Sequence, residues 1–394
     1  MFKTFLQKTY SSETPSSGSI KAVFHSEQLS QALNSVSAAQ TDGDVGWIQI
    51  HFTGNGKVLV SSVSHILSIR YEFLADHEGQ GVVKVLGKQL LDYVKQLPAE
   101  KVTFQVELPS KLTVKCGRSS ARLQLIQDST YSGVNIPHSG TSVQVKGDSL
   151  ARWIDSYRNF VLVDDTRYYA NGAYIWADGD AQSSGSMNAV ASDALRLAKA
   201  RLSEDIRVIA NDTSAVLVPR KVLDEARRVA SSDPGRVFTL RWNQEELFFS
   251  LEGDSYAMFA KTISGSYPQY EGAIPQKIST TVHIDNKVLH DSLKRSLIFA
   301  DRNKILKFAF ESQTLSVQSS TPGQKEGEEV IDLLNKVDSE FEVNYNGQQM
   351  CGVLECLSGN KAKLEWESVV RPVKITGDGE RGIDVFYLLV PTRF

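Results

Sequence analysis

The stretch Val216-Leu217-Val218-Pro219-Arg220-Lys221-Val222-Leu223 holds the phrase from which the fold can be read. Val216 to Val218 is an apolar, β-branched run that reads as a strand. Pro219 stands where a helix starts, a place where its missing N–H costs nothing. Val222, Leu223, Ala226 and Val229 then recur on one stripe until Pro234-Gly235 ends the helix. Leu223 falls seven positions after the first strand residue. The same phrase occurs at Ala22-Val23-Phe24 with Leu29, Val83-Lys84-Val85 with Leu90, Val143-Gln144-Val145 with Leu150, and Val282-His283-Ile284 with Leu289. Phe341-Glu342-Val343 opens a sixth copy, in which Gln348 stands at the leucine position. The leucines are spaced by 61, 60, 73 and 66 residues, the mark of a repeated supersecondary unit.

Strand-like runs follow the helices. After Gly87–Leu97, which Pro98 stops, come Val102–Val106, Leu112–Val114 and Leu123–Leu125. After the fourth helix come Val237–Leu240, Leu247–Phe249 and Tyr256–Lys261, and after the sixth Ala362–Leu364, Val373–Ile375 and Val385–Val390. The unit is therefore β-α-β-β-β. Two matching connectors, Asp128–Pro137 and Gly265–Pro275, close the second and fourth units and group the six in pairs. The expectation is an α+β chain of three domains, 19–138, 139–275 and 276–394, each holding two helices side by side against sheets. Residues 1–18, rich in Ser and Thr, are expected to be a disordered extension.

Bulk properties narrow the function classes. At 394 residues with 41% hydrophobic and 23% charged content, the chain can bury several cores. A net charge of −3 does not mark the whole molecule as a nucleic-acid binder. Cys116, Cys351 and Cys356 lack metal-ligand spacing and fit a reducing compartment. There is no apolar run of membrane-span length and no signal-peptide pattern, so a cytoplasmic protein is expected.

Several chemical motifs match by letter only. Gly377-Asp378-Gly379-Glu380-Arg381-Gly382 fits GxGxxG, but a strand follows where a phosphate site needs a helix, so it reads as a hairpin loop. Gly81 and Gly87-Lys88 are one residue too far apart for a phosphate loop, and Gln89 replaces the required hydroxyl. His283 and His290 read as strand and helix residues, not a metal pair. Cys351 and Cys356 read as small core residues sharing one helix. Asp164 and Asp165, adjacent in an expected strand, would point to opposite faces. Asn211-Asp212-Thr213 is a sequon without secretory context. No nucleophile is paired with a base, so no enzyme, metal or cofactor is expected.

Binding is the better prospect. Between Asp164 and Leu197, the clusters Arg167–Gly172 and Ser192–Leu197 flank a hairpin whose first strand is Ala173–Trp176 and whose turn is Asp178–Ser184. Their apolar side chains and an arginine at one sheet end suit a groove for something hydrophobic, with ordinary sheet packing as the competing account. The six predicted helices (27–37, 87–97, 147–159, 219–230, 285–297, 345–358) sum to a charge of +2 and the remainder to −5. That contrast suits a weakly basic helical surface able to neutralise phosphates without reading bases, centred on Arg220, Lys221, Arg227 and Arg228. Lys88, Lys95, Arg152, Lys287 and Lys294 lie on the other helices of the same surface.

Five segments, in order, carry a family resemblance: Asp165–Gly172, Ala189–Ala198, Val216–Lys221, Tyr267-Pro268-Gln269-Tyr270 and Val390-Pro391-Thr392-Arg393-Phe394. With them the chain resembles, from about Ile20 to its end, the bacterial DNA polymerase III beta subunit family of sliding clamps. The resemblance implies three repeated clamp domains per chain and a head-to-tail homodimer closed into a ring around double-stranded DNA. Helices would line the inside and sheets the outside. It implies a non-catalytic processivity factor that tethers the polymerase, the clamp loader and repair proteins through short apolar peptide motifs.

It further implies a peptide cleft between the second and third domains. One wall would come from Ala170, Ser192, Ala194, Arg196 and Leu197. The other would come from Pro268, Ala273, Val370 and Pro372 with the chain end Val390, Pro391, Thr392, Arg393 and Phe394. The ring joint would set Ala121 and Leu123 of one chain against Ile298 and Phe299 of the next. Three departures bear on these roles. The 41–46 loop is acidic where the family often has a basic one, Ala121 replaces a bulkier residue, and Ala194-Leu195 replaces a commoner Gly-His pair. A peptide-binding hub that does not encircle DNA is the alternative.

Overall fold

The computed structural model describes residues 18–40, 46–98, 100–127, 136–163, 165–179, 185–321 and 325–392. Residues 1–17 of the expected tail, most of the acidic loop, most of the first connector, most of the 178–184 turn, Asp164, Arg393 and Phe394 lie outside the described residues, whereas Gly18 begins the first strand. The chain packs as two compact units, Met1–Gly140 with Val237–Thr262 and Thr141–Arg236 with Ile263–Phe394.

In the first unit, five antiparallel strands run in the order Asp76–Glu78, Gly18–His25, Lys101–Leu108, Lys111–Cys116, Ser119–Gln124. A second set follows the order Val237–Asn243, Phe248–Glu252, Tyr256–Lys261, Leu67–Leu74, Lys57–Val63, Trp47–Phe52, Gly81–Leu86. Helices α1 (Ser26–Ser37) and α2 (Gly87–Lys95) pack on each other.

In the second unit, helix α3 (Gly147–Asp155) packs on α4 (Arg220–Ser232), and α5 (Asn286–Phe299) on α6 (Gly347–Leu354). An eight-stranded antiparallel sheet runs Val216–Pro219, Gly172–Asp178, Ser186–Ser192, Arg196–Leu202, Ile383–Leu389, Val373–Thr376, Lys361–Trp366, Thr280–Asp285. Its central ladder pairs every residue of Arg196–Leu202 with one of Leu389–Ile383. A four-stranded sheet, Lys325–Asp332, Thr314–Thr321, Ile305–Phe310, Phe341–Asn346, completes the unit.

The repeat is a core register. Ala22 and Phe24, Val83 and Val85, Val143 and Val145, Val216 and Val218, and Val282 and Ile284 are all buried, because alternate strand residues share a face. So are Leu29, Leu90, Leu150, Leu223 and Leu289, each in the first turn of its helix. The sixth copy is phased differently from expectation. Gln348 is exposed, while Val343, Tyr345 and Met350 occupy the core positions. The phrase begins at Val343 rather than Phe341, and methionine substitutes for leucine, an unbranched side chain filling the same space.

Other local expectations shift by a few residues. The helix expected over 147–159 ends at Asp155 and gives way to a 3-10 turn, Arg158–Phe160. Pro219 has φ −61° and ψ 150°, so it caps α4 from outside. Helix α6 stops at Leu354, which leaves Cys356 beyond it. Asp165 is not in a strand. The strands Asp76–Glu78 and Ile206–Ala210 have no counterpart in the β-α-β-β-β reading. The Gly377–Gly382 segment joins two antiparallel strands, as its reading as a hairpin loop requires.

Candidate binding cleft

The hairpin pairs Gly172–Asp178 with Ser186–Ser192, with Tyr174 opposite Val190, and so sets the two clusters at one end. Before it, Tyr168–Asn171 forms a 3-10 turn, anchored where Asp165 Oδ1 and Oδ2 accept from Arg167 Nε and Nη2 at 2.8 Å. This guanidinium holds the Asp165 carboxyl well below its ordinary value, at about 2. After the hairpin, the turn to the next strand is fixed by its own side chains. Asp193 Oδ1 accepts from the Leu195 and Arg196 N–H groups at 3.0 and 2.6 Å, and its Oδ2 accepts from Arg196 Nε at 2.9 Å. Ser192 Oγ accepts from the Ala194 N–H at 3.1 Å and donates to the Arg196 carbonyl at 2.8 Å. Ala194 takes φ +74°, the left-handed region that disfavours a Cβ.

The connector lies across the sheet. Tyr267 stacks on Tyr174 with centroids 5.2 Å apart and meets Tyr169 and Tyr270 edge-on at 6.3 and 6.2 Å. Tyr168 Oη donates to the Ser266 carbonyl at 2.6 Å, and a Cβ on Gly265 would stand 2.4 Å from the Tyr168 ring. Arg371 Nη2 donates to the Gly272 carbonyl at 2.8 Å and ties the last-domain loop to the connector. Burial pushes the Tyr267 and Tyr270 hydroxyls well above their ordinary value, with the Glu271 carboxylate adding to the effect at Tyr270.

Between these walls lies a cleft of about 200 Å³, floored by Leu197 and Leu388, with Val190 packed against them in the core. Leu195 at 49% and Val390 at 38% exposure stand at its rim, joined where the Val390 N–H donates to the Leu195 carbonyl at 3.0 Å. The cleft has aromatic and aliphatic walls and few polar groups, so it is shaped to take apolar side chains. No group of three or more His, Cys, Asp or Glu among the described residues could hold a metal. No helix among them is long and apolar enough to cross a membrane.

Of the expected cleft residues, Ser192, Ala194, Arg196, Leu197, Pro268, Ala273, Pro372 and Val390 line it together. Ala170 is wholly buried and does not line it, and neither do exposed Val370 or half-buried Pro391 and Thr392. The Thr392 N–H donates instead to the Asn344 carbonyl at 2.8 Å. Arg196 lines the cleft while its guanidinium is held 5.0 Å from the Phe160 ring centroid and against Gly352. Tyr169, Leu195, Tyr267, Tyr270 and Leu388 also line the cleft and were not among the expected residues. Three of them carry readable signals, the i,i+3 spacing of Tyr267 and Tyr270 and the strand alternation of Leu388 with Val390.

The helical arginines are not loose. Arg220 donates to both Asp224 oxygens at 3.1 Å, to the Val161 carbonyl at 3.1 Å, and to the Arg158 carbonyl. Arg158 pairs with Asp155 and Asp224, Arg227 with Asp155, and Arg228 with buried Glu225. Arg152 pairs with Asp148 and Glu380, Lys287 with Asp291, and Lys294 with Glu355. Lys88 and Lys95 on α2 are exposed. At the expected joint, Ala121 and Leu123 are half-buried on the edge strand Ser119–Gln124. Ile298, 70% exposed, and Phe299 end α5, and a Cβ on Gly327 would stand 3.0 Å from the Phe299 ring.

Three family models match the chain in succession. They are the DNA polymerase III beta subunit N-terminal domain over residues 23–135, its central domain over 144–269, and its C-terminal domain over 271–393. The beta sliding clamp of Caulobacter vibrioides is 26% identical over 329 residues, covering 82% of this chain and 85% of the relative. That of Proteus mirabilis is 23% identical over 380 residues, covering 95% of this chain and all of the relative (100%). Among solved structures, a Pseudomonas aeruginosa sliding clamp bound to griselimycin superposes with a TM-score of 0.86 at 20% identity. It covers 96% of this chain and 100% of its own, and the likeness establishes the shared three-domain fold.

Proposed function

The chain belongs to the DNA polymerase III beta subunit family, a non-catalytic subunit of the replicative polymerase, and from that premise we propose that it works as a sliding clamp. Two chains, with domains over 19–138, 139–275 and 276–394, would close head to tail around duplex DNA in the cytoplasm. Retention is then topological. Enclosure prevents loss while weak phosphate contacts allow sliding, and a tethered polymerase keeps a high effective concentration at the primer end.

The observation that carries the ring is a pair of open sheet edges of opposite charge. Ser119–Gln124 ends the five-stranded sheet, with Arg118 and Arg122 exposed on or beside it. Lys325–Asp332 ends the four-stranded sheet, and its sequence Glu326-Gly327-Glu328-Glu329 is acidic. An open edge is a template for another strand, so these two supply backbone pairing and charge complementarity between copies. Ala121, Leu123, Ile298 and Phe299 would add the apolar part. The cleft would take the short apolar motif of polymerase, clamp-loader and repair proteins, a few side chains giving most of the affinity.

Sedimentation at micromolar concentration, with retention on circular against linearised DNA, tests the reading. A dimer that stays on circles and leaves linear ends is expected; a monomer that leaves both equally fast would overturn it. The pairing of Arg158, in the 3-10 turn after α3, and of Arg220 and Arg227, on α4, with aspartates favours one second reading, a peptide-binding hub that does not encircle DNA. Lys88→Glu with Lys95→Glu separates the two, because a clamp is then loaded onto DNA more poorly and a hub loses nothing.

A further inference from the structure

Beside the cleft, the same face of the eight-stranded sheet runs into a larger polar groove of about 720 Å³. The strand register orders the side chains that lead into it. Leu388, on the cleft floor, has Leu197 as its neighbour on one side and Lys374 on the other. Two residues along, Phe386 stands opposite Lys199, and two further Asp384 stands opposite Arg201. Alternate residues share a face, so these groups form successive rows leading away from the cleft. Lys199 Nζ lies 5.5 Å from the ring centroid of Tyr270, itself a cleft residue, and Lys374 Nζ lies 5.5 Å from that of Phe386. Both ammonium groups are thus held on aromatic faces at the boundary between cleft and groove.

The carboxylates of the groove are distributed unevenly. Asp378 accepts from the Asn360 and Lys361 N–H groups at 2.8 and 3.2 Å, and Asp178 accepts from the Asn188 amide at 2.8 Å. Glu365 is shared between Lys363 at 2.5 Å and Lys374 at 3.5 Å. Asp384 is two rows out, across from Arg201. Lys199 has no carboxylate within ion-pair distance among the described residues. At the end that adjoins the cleft Lys199 is thus the cation left without an ion-paired carboxylate, Lys374 is shared with Glu365, and Glu271 stands beside Tyr270, while Asp378 and Asp384 lie further along the groove. A long polyanion would be repelled by Asp178, Asp378 and Asp384, whereas a short acidic stretch fits.

We propose that this groove is an electrostatic extension of the cleft, taking an acidic residue that flanks the apolar anchor of the partner peptide, with Lys199 and Lys374 as its recognition residues. The proposal rests on the cleft being the peptide site. Rows two residues apart are separated by about 7 Å, at roughly 3.3 Å per residue, so an extended segment reaches Lys199 within two or three residues of its anchor.

Fluorescence polarisation on the full chain tests it with three labelled probes, a Leu-Phe peptide flanked by glycines and the same peptide with two glutamates at one end or the other. One glutamate peptide should bind about three- to tenfold more tightly than the glycine peptide at low salt, the scale of one or two exposed ion pairs. That gain should vanish in high salt and in Lys199→Ala with Lys374→Ala, while the glycine peptide binds both proteins equally. A gain absent at both ends, or undiminished in the variant, overturns the extension and leaves the cleft standing. Failure of the glycine peptide to bind the unaltered chain removes the cleft reading and this proposal together.

Discussion

Arg196 and Gly352 fit against each other so closely that a Cβ on the glycine would stand 2.6 Å from the arginine Nη1. The arginine is already committed to Asp193 and to the ring of Phe160, so it has little freedom to retreat. Gly352→Ala should therefore destabilise the chain by no more than about 1 kcal/mol, the overpacking against Arg196 less the helix propensity that alanine gains within α6. In an Arg196→Ala background the same substitution should cost clearly less. Urea denaturation of the four proteins of this cycle measures the coupling.

The turn beside Arg196 carries a strain that glycine would relieve. Ala194 holds φ +74°, and its side chain is exposed, so no packing is lost on its removal. Ala194→Gly should stabilise the chain by about 0.5–1 kcal/mol, the relief of the left-handed strain less the entropy cost of glycine. A fall in the denaturation midpoint would contradict the torsion.

Leu195 and Val390 stand exposed at the cleft rim, so charging them should spare the fold and spoil the site. Leu195→Asp with Val390→Asp should weaken a polymerase-derived apolar peptide by about thirtyfold or more while the melting temperature holds. Unchanged affinity by isothermal titration would place the peptide elsewhere.

Ile298 is 70% exposed at the end of α5, and Ile298→Asp asks whether it is covered by a second copy. The dimer dissociation constant should rise about thirtyfold or more, with peptide binding at the cleft unaltered. Sedimentation equilibrium reads the first quantity and polarisation the second.

Burial pushes the Cys351 thiol up to about 11 from an ordinary value of 9.0. The folded chain therefore holds this proton to higher pH than the unfolded chain. The stability it contributes is present below about pH 9 and is lost as pH rises from there towards 11. Denaturation midpoints measured from pH 8 to 11 should fall further for the native sequence than for Cys351→Ala. Alkylation of Cys351 in the folded chain at pH 8 should be slow.

How far the fold could be read from the sequence depended on whether its constraint was local. A buried i,i+2 pair on a strand and a buried leucine in the next helical turn lie within eight residues, so Val216, Val218 and Leu223 announce their unit together. The sixth copy was misphased because its anchor is Met350, and a search for leucine finds nothing there. The pairings of the cations were not legible at all. Arg227 meets Asp155 and Arg152 meets Glu380 across long stretches of chain, so charge counting took these arginines for loose cations. Tyr169 lies in the first hairpin cluster, and its place in the cleft is not legible there because the residue that faces it, Tyr267, arrives on the distant connector.

The ladder between Arg196–Leu202 and Ile383–Leu389 has a consequence for traffic on the clamp. The rim residues Leu195 and Val390 adjoin the two paired strands of this ladder, so they cannot swing apart without tearing hydrogen bonds along the seam. A partner finds the site already shaped and pays no opening cost, and its departure waits on no gate. Successive clients would then replace one another at a rate set by how tightly each holds, and the clamp itself would impose no order among them.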